Sequence, residues 1–135
     1  MDARLSSDEV AVLRKIYDWS EKSLTRMEFG RGKVEGSFAG AFESENGVAW
    51  PITVYTYGSI EFQFQHMTGQ MVFSEMNKRQ EFLERLLEID NFNVSMEEET
   101  LRRRPSVKAS DLLNPKELDK LINALDWFVE QVSSA

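Results

Sequence analysis

"VAWPITVYTYGSIEFQFQHM", residues 48–67, decides the fold. Its second half alternates strictly, with Ile60, Phe62 and Phe64 on one side and Glu61, Gln63 and Gln65 on the other, the pattern of a half-buried strand. Ahead of the turn at Gly58-Ser59, Val48 to Tyr57 reads as another strand. It sends Trp50, Ile52 and Val54 to one face, and Pro51 marks an edge or an irregular start. Upstream, a glycine-rich stretch through Phe38 and Phe42 reaches Asn46-Gly47, the strongest two-residue hairpin signal. Consecutive strands joined by short turns predict an antiparallel meander. Three strands are expected, with four or five as the alternative, and Asn91 to Ser95 is a candidate for one further short strand.

Helices flank this sheet. Ser6 and Glu9 have capping-box spacing and Leu5 and Val10 that of a hydrophobic staple, so a helix starts there. Val10, Leu13, Tyr17, Leu24 and Met27 recur on one face until Gly30 and Gly32 end it. A second helix from about Ser74 turns Phe82, Leu83, Leu86, Leu87 and Ile89 inward, with Glu81 and Arg85 paired outside. A third begins with Asn114 as cap, Pro115 in the first turn, Glu117 three residues after the cap, and Leu113 stapled to Leu118. Its stripe is Leu118, Leu121, Ile122, Leu125, Phe128 and Val132. The expectation is one α+β domain over residues 1–135, two layers deep, with an antiparallel meander packed against about three helices. The other sheet face carries Thr53, Tyr55, Tyr57, Gln63 and Gln65 and is either wet or an interface.

Totals narrow the functional classes. A chain of 135 residues, 41% apolar and 29% charged, has the size and composition of one globular domain. No apolar run approaches the ~18 residues of a membrane span, and the first residues lack a hydrophobic signal core, so a cytoplasmic protein without a membrane partner is expected. The lack of cysteine excludes disulfides, zinc-thiolate sites and thiol nucleophiles. A net charge of -7 works against general attraction to nucleic acid and favours a protein partner with a basic surface; a homodimer is compatible with it.

Against that background, "LRRRPSVKAS", residues 101–110, concentrates Arg102, Arg103, Arg104 and Lys108. Ser95 and Glu98 again have capping-box spacing, so a short helix is expected to begin there and end before Pro105. In that helix Glu98 and Glu99 reach Arg102 and Arg103 at four-residue spacing, and acids precede cations as the helix dipole favours. The charge balance favours a structural role. The alternatives are an anion or nucleic-acid contact through the four cations, and a basophilic kinase site at Ser106.

Other candidates carry less chemistry. His66 is the only histidine; strand phase puts it with Ile60, Phe62 and Phe64, and Glu61 on the opposite side. A lone imidazole acts as a base only when a carboxylate orients it, so no catalytic residue is assigned. Gly30-x-Gly32 precedes a strand rather than opening a helix and lacks a full phosphate-binding fingerprint, so neither a cofactor nor a metal site is assigned. Trp127 departs from the inward stripe of the last helix, which makes it an interface candidate with Tyr55, Tyr57, Gln63 and Gln65, packing on a neighbouring element being the alternative.

"YGSIEFQFQ" at 57–65, "KRQEFLERLLEI" at 78–89, "RRPSV" at 103–107 and "LDWFVE" at 125–130 together resemble a C-terminal accessory module of uncharacterised bacterial proteins, some of which carry nuclease-type domains. The resemblance spans residues 36–133 and implies a context of DNA processing or phage defence, with no catalytic residue to carry over. The order of elements is also similar to that of type III secretion chaperones, which implies a dimer that binds an unfolded segment. The expectation is a non-enzymatic, acidic protein-binding domain acting as an accessory, inhibitor or immunity-type subunit. A secretion-type chaperone and a nucleic-acid-binding module are the alternatives.

Overall fold

The computed structural model describes residues 5–30, 36–97 and 100–134. Helix α1 (Ser7–Ser23) starts at the expected capping box: Ser6 Oγ accepts the Glu9 N–H at 3.1 Å and Glu9 Oε1 accepts the Ser6 N–H at 3.1 Å. It buries Val12, Leu13, Ile16 and Trp19. The helix stops earlier than its apolar spacing predicts. Leu24 turns extended, and strand β1 (Arg26–Phe29) follows, so Met27 belongs to a strand. The cause lies in the next strand. Leu24 sits so close over Gly40 that a Cβ there would come within 2.1 Å of Leu24 Cδ1, an approach only glycine permits without rearrangement.

The sheet continues with β2 (Ser37–Ser44), β3 (Gly47–Ala49), β4 (Ile52–Tyr55), β5 (Ser59–Phe62) and β6 (Ser106–Lys108). Every pairing is antiparallel, in the order β1-β2-β4-β5-β6, with β3 beside the far half of β2. Phe38 faces Val54, Val54 faces Ile60 and Ile60 faces Val107, which forms the apolar face. Two corrections concern phase. The expected single strand from Val48 is interrupted at Trp50-Pro51, so Ile52 and Val54 are buried while Trp50 turns to the opposite face, beneath the Arg26 guanidinium. The hairpin loop is Glu45-Asn46, and Gly47 (φ 92°) already pairs with Ser44.

The third expected strand also ends early. β5 stops at Phe62, and Gln63 (φ -90°, ψ 55°) turns the chain into the single turn α2 (Phe64–Met67). This keeps Phe62 and Phe64 both fully buried. No strand forms at Asn91 to Ser95; the strands beyond the expected meander are β1 and β6. Residues 92–97 have no regular structure, and the helix expected from Ser95 is replaced by a 3-10 turn at Thr100–Arg102.

Helices α3 (Met76–Leu86) and α4 (Pro115–Ser134) complete the helical layer with α1, giving a two-layer α+β fold. Phe82 of α3 touches Phe62, Phe64, Phe73, Trp127 and Phe128, with ring centroids between 5.1 and 6.4 Å apart. The expected Glu81–Arg85 pair is present at 3.3 Å. Trp19 Nε1 donates to Asp126 Oδ1 at 2.7 Å and joins α1 to α4. No described helix is long and apolar enough to cross a membrane.

Asn114 caps α4 through its Oδ1, which accepts the Lys116 N–H at 3.0 Å. Glu117 does not return to that cap. Its carboxylate accepts the Asp90 N–H at 2.6 Å and the Lys120 ammonium at 3.0 Å, fastening the chain after α3 to the start of α4. First the Asp90 amide and then Lys120 hold its pKa below the usual glutamate value. A carboxyl whose pKa is lower folded than unfolded stabilises the fold above its unfolded pKa, and loses that effect as pH falls through the folded value. Glu117→Gln is therefore expected to be less stable than wild type at neutral pH, with the gap closing as pH drops below the ordinary carboxylate range, as read from urea midpoints across a pH series. Phe82→Ala should cost about 3–5 kcal/mol in the same assay, and Ser6→Ala only about 1 kcal/mol.

Candidate protein-binding groove

The arginine run is anchored at both ends. Leu101 and Val107 are buried, at 1% and 2% exposure, and between them Arg102, Arg103 and Arg104 are exposed. Backbone bonds fasten the segment to the end of β5: the Arg103 carbonyl accepts the Gln65 N–H at 3.0 Å and the Pro105 carbonyl accepts the Phe62 N–H at 2.8 Å. Gln65 thus sits at the start of α2 rather than on a strand, and it is exposed. The three arginines, Gln65 and Glu61 line one open groove of about 440 Å³, floored in part by Val94 and Pro105. Lys108 does not line it; it pairs with Ser59 on β5, and its N–H bonds to Asp111. The anticipated partners of the arginines, Glu98 and Glu99, lie outside the described residues. Among the described residues, the carboxylate that lines the groove is Glu61.

Glu61 is held from the sheet side. Tyr55 donates its hydroxyl to Glu61 Oε1 at 3.0 Å, and Gln63 Nε2 approaches the same oxygen at 3.5 Å. Gln63 also donates to Thr53 Oγ1 at 2.9 Å, and its own Oε1 is buried without a hydrogen-bond partner. The expected exposed Gln63 is therefore corrected: the turn after Phe62 folds it in to 4% exposure. Tyr55 stacks on Tyr57 with centroids 5.3 Å apart, and Tyr57 remains 38% exposed. Burial, then the hydrogen bond and charge of Glu61, raise the Tyr55 pKa above the ordinary tyrosine value, and the Arg104 cation opposes them.

Two candidates from the sequence fall elsewhere. Trp127 is half-buried: its ring stacks on Phe82 at 6.4 Å, meets Phe73 edge-on at 5.9 Å and lies under Arg85, whose guanidinium carbon is 4.6 Å from the ring centre. The ring thus packs on neighbouring elements and keeps part of its surface exposed. His66 is exposed on α2, no longer in phase with Phe64, and lines a second hollow on the open sheet face with Glu28, Ala39, Trp50, Thr53 and Gln63. Among the described residues no three His, Cys, Asp or Glu side chains converge as a metal site.

Glu61 is the groove residue that sequence reasoning missed. Alternation placed it on the polar face, but its approach to the arginines comes through β6, which pairs Glu61 with Ser106. A three-residue strand after a long irregular stretch leaves no periodic signal. In comparisons with protein-family models, curated proteins and solved structures, nothing matches this chain.

A tyrosine whose folded pKa is raised contributes stability below its unfolded value, near 10, that is lost as pH rises through the folded one. Wild type is expected to lose more stability than Tyr55→Phe across that alkaline range. In an ultraviolet titration, Glu61→Gln should bring the latest-ionising tyrosine down towards the ordinary value.

Proposed function

We propose that this protein is a non-enzymatic protein-binding domain, and that the Arg102–Arg104 groove with the Tyr55–Tyr57 rim is the surface that meets the partner. One observation carries this reading: a carboxylate, Glu61, stands in the same groove as three guanidiniums, beside an exposed aromatic ring. Affinity for a phosphate backbone comes from a row of protein cations that displaces the counterions condensed on the phosphates, and a carboxylate within that row works against it. A polypeptide offers amides, carboxylates and apolar side chains at once, which suits paired donors and acceptors next to a tyrosine platform. Arginine and tyrosine are also the side chains that most often dominate such contacts.

The overall charge of -7 steers a net-basic protein towards the molecule, and the groove then supplies local fit. Such a domain acts in the cytoplasm as an accessory, inhibitor or immunity-type subunit. The observation favouring the nucleic-acid alternative is the convergence of three arginines on one groove.

The test is capture of the partner from the native host on the tagged chain, followed by titration of the purified pair. Arg103→Glu and Tyr57→Ser are each expected to weaken binding at least about tenfold, while Arg103→Glu changes folding stability by less than about 1 kcal/mol. A salt-dependent affinity for duplex or single-stranded DNA that Arg103→Glu abolishes would replace this reading with the nucleic-acid one.

A further inference from the structure

The two margins of the sheet differ. β6 is three residues long, follows Pro105 and runs straight into a 3-10 turn, so it offers little backbone to a visitor. β1 at the other margin has no proline, and no described element pairs with its outer side. The Gly30 N–H bonds to the Ser37 carbonyl. In an antiparallel ladder inward and outward groups alternate, so Arg26 and Glu28 aim their backbone at β2 while Met27 and Phe29 aim theirs outward. Exposed strand margins of this kind are templates for another strand.

We infer that β1 is the contact between two copies of this chain, paired antiparallel about a two-fold axis through Met27. That register sets Arg26 of each copy opposite Glu28 of the other, twice over. Moving the axis one residue either way would set Glu28 on Glu28 or Arg26 on Arg26, and like charges directly opposite are destabilising. The strand therefore selects its own register by charge. Arg26 uses Nε for Glu43, at 2.8 Å, while its Nη1 stands a loose 3.9 Å from Glu28 within the same chain, so the terminal nitrogens remain able to turn to the second copy.

Apolar contacts agree with the same axis. Phe29 is 61% exposed, on the face that carries α1. In the Met27-centred register Phe29 of one copy reaches the start of β1 of the other, where a groove between α1 and β1 is lined by Tyr17, Glu21, Leu24 and Thr25 together with that copy's own Arg26, Met27 and Phe29. Each copy supplies a ring and a groove, as an isologous interface requires.

Sedimentation equilibrium of the full chain tests this. Wild type is expected at twice the 15.6 kDa chain mass. Glu28→Arg and Arg26→Glu should each raise the dissociation constant about tenfold or more, because two attractive cross-strand pairs become repulsive. Mixing the two variants should restore the dimer, with native mass spectrometry finding heterodimers only. Because Arg26→Glu also removes the Glu43 contact, thermal melts check its fold, and Phe29→Ser, at an exposed position, should weaken the dimer independently. A wild type that stays monomeric at all concentrations, or single variants that remain dimers, or a mixture that shows no preference for the heterodimer, would overturn the inference.

Discussion

Phe82 is the point on which this structure turns. Its ring contacts residues of β5, α2 and α4 together with Phe73, which precedes its own helix, so one side chain on α3 holds the sheet and the helical layer in common register. To reach it, Phe62 and Phe64 must both face inward, and an extended chain that does so would also leave Gln65 and His66 on strand faces. Instead the chain coils directly after Phe62. That turn buries Gln63, swings His66 outward and presents the Gln65 amide to the Arg103 carbonyl. The groove is thus built on the turn that follows Phe62.

Its electrostatics follow from the same geometry. A guanidinium cluster in an acidic protein is balanced by whatever carboxylates the fold brings near it. Here Glu61 is brought near from β5, held by Tyr55 and backed by Gln63. Hydrogen bonding from neutral donors orients that carboxylate, so the groove presents a carboxylate and guanidiniums together. Surfaces of mixed sign discriminate among partners, because a ligand of uniform charge meets repulsion wherever it meets attraction.

Much of the fold was legible where local chemistry is self-sufficient. The Ser6–Glu9 box, the Asn114 cap and the alternation of Ile60 and Phe62 each depend on residues a few positions apart, and each appears in the structure. What escaped notice depends on distant contacts. β1 pairs with β2 where Leu24 lies over Gly40; Trp50 changes face where Pro51 breaks the strand; the Glu117 carboxylate binds the Asp90 amide. The groove was half legible: the arginines announced themselves, and Glu61 became their neighbour only through pairing with β6. Periodicity reports which face a residue takes but not which strand lies alongside.

The unequal margins of the sheet have a consequence for assembly. A sheet exposed on both sides could add molecules indefinitely and grow into a fibre. This one has a four-residue margin at β1 and a three-residue margin at β6 that follows Pro105 and ends in a 3-10 turn. A strand added beside β6 would find only three residues to pair with before the 3-10 turn, so the shortness of β6 works against extension of the sheet from that side.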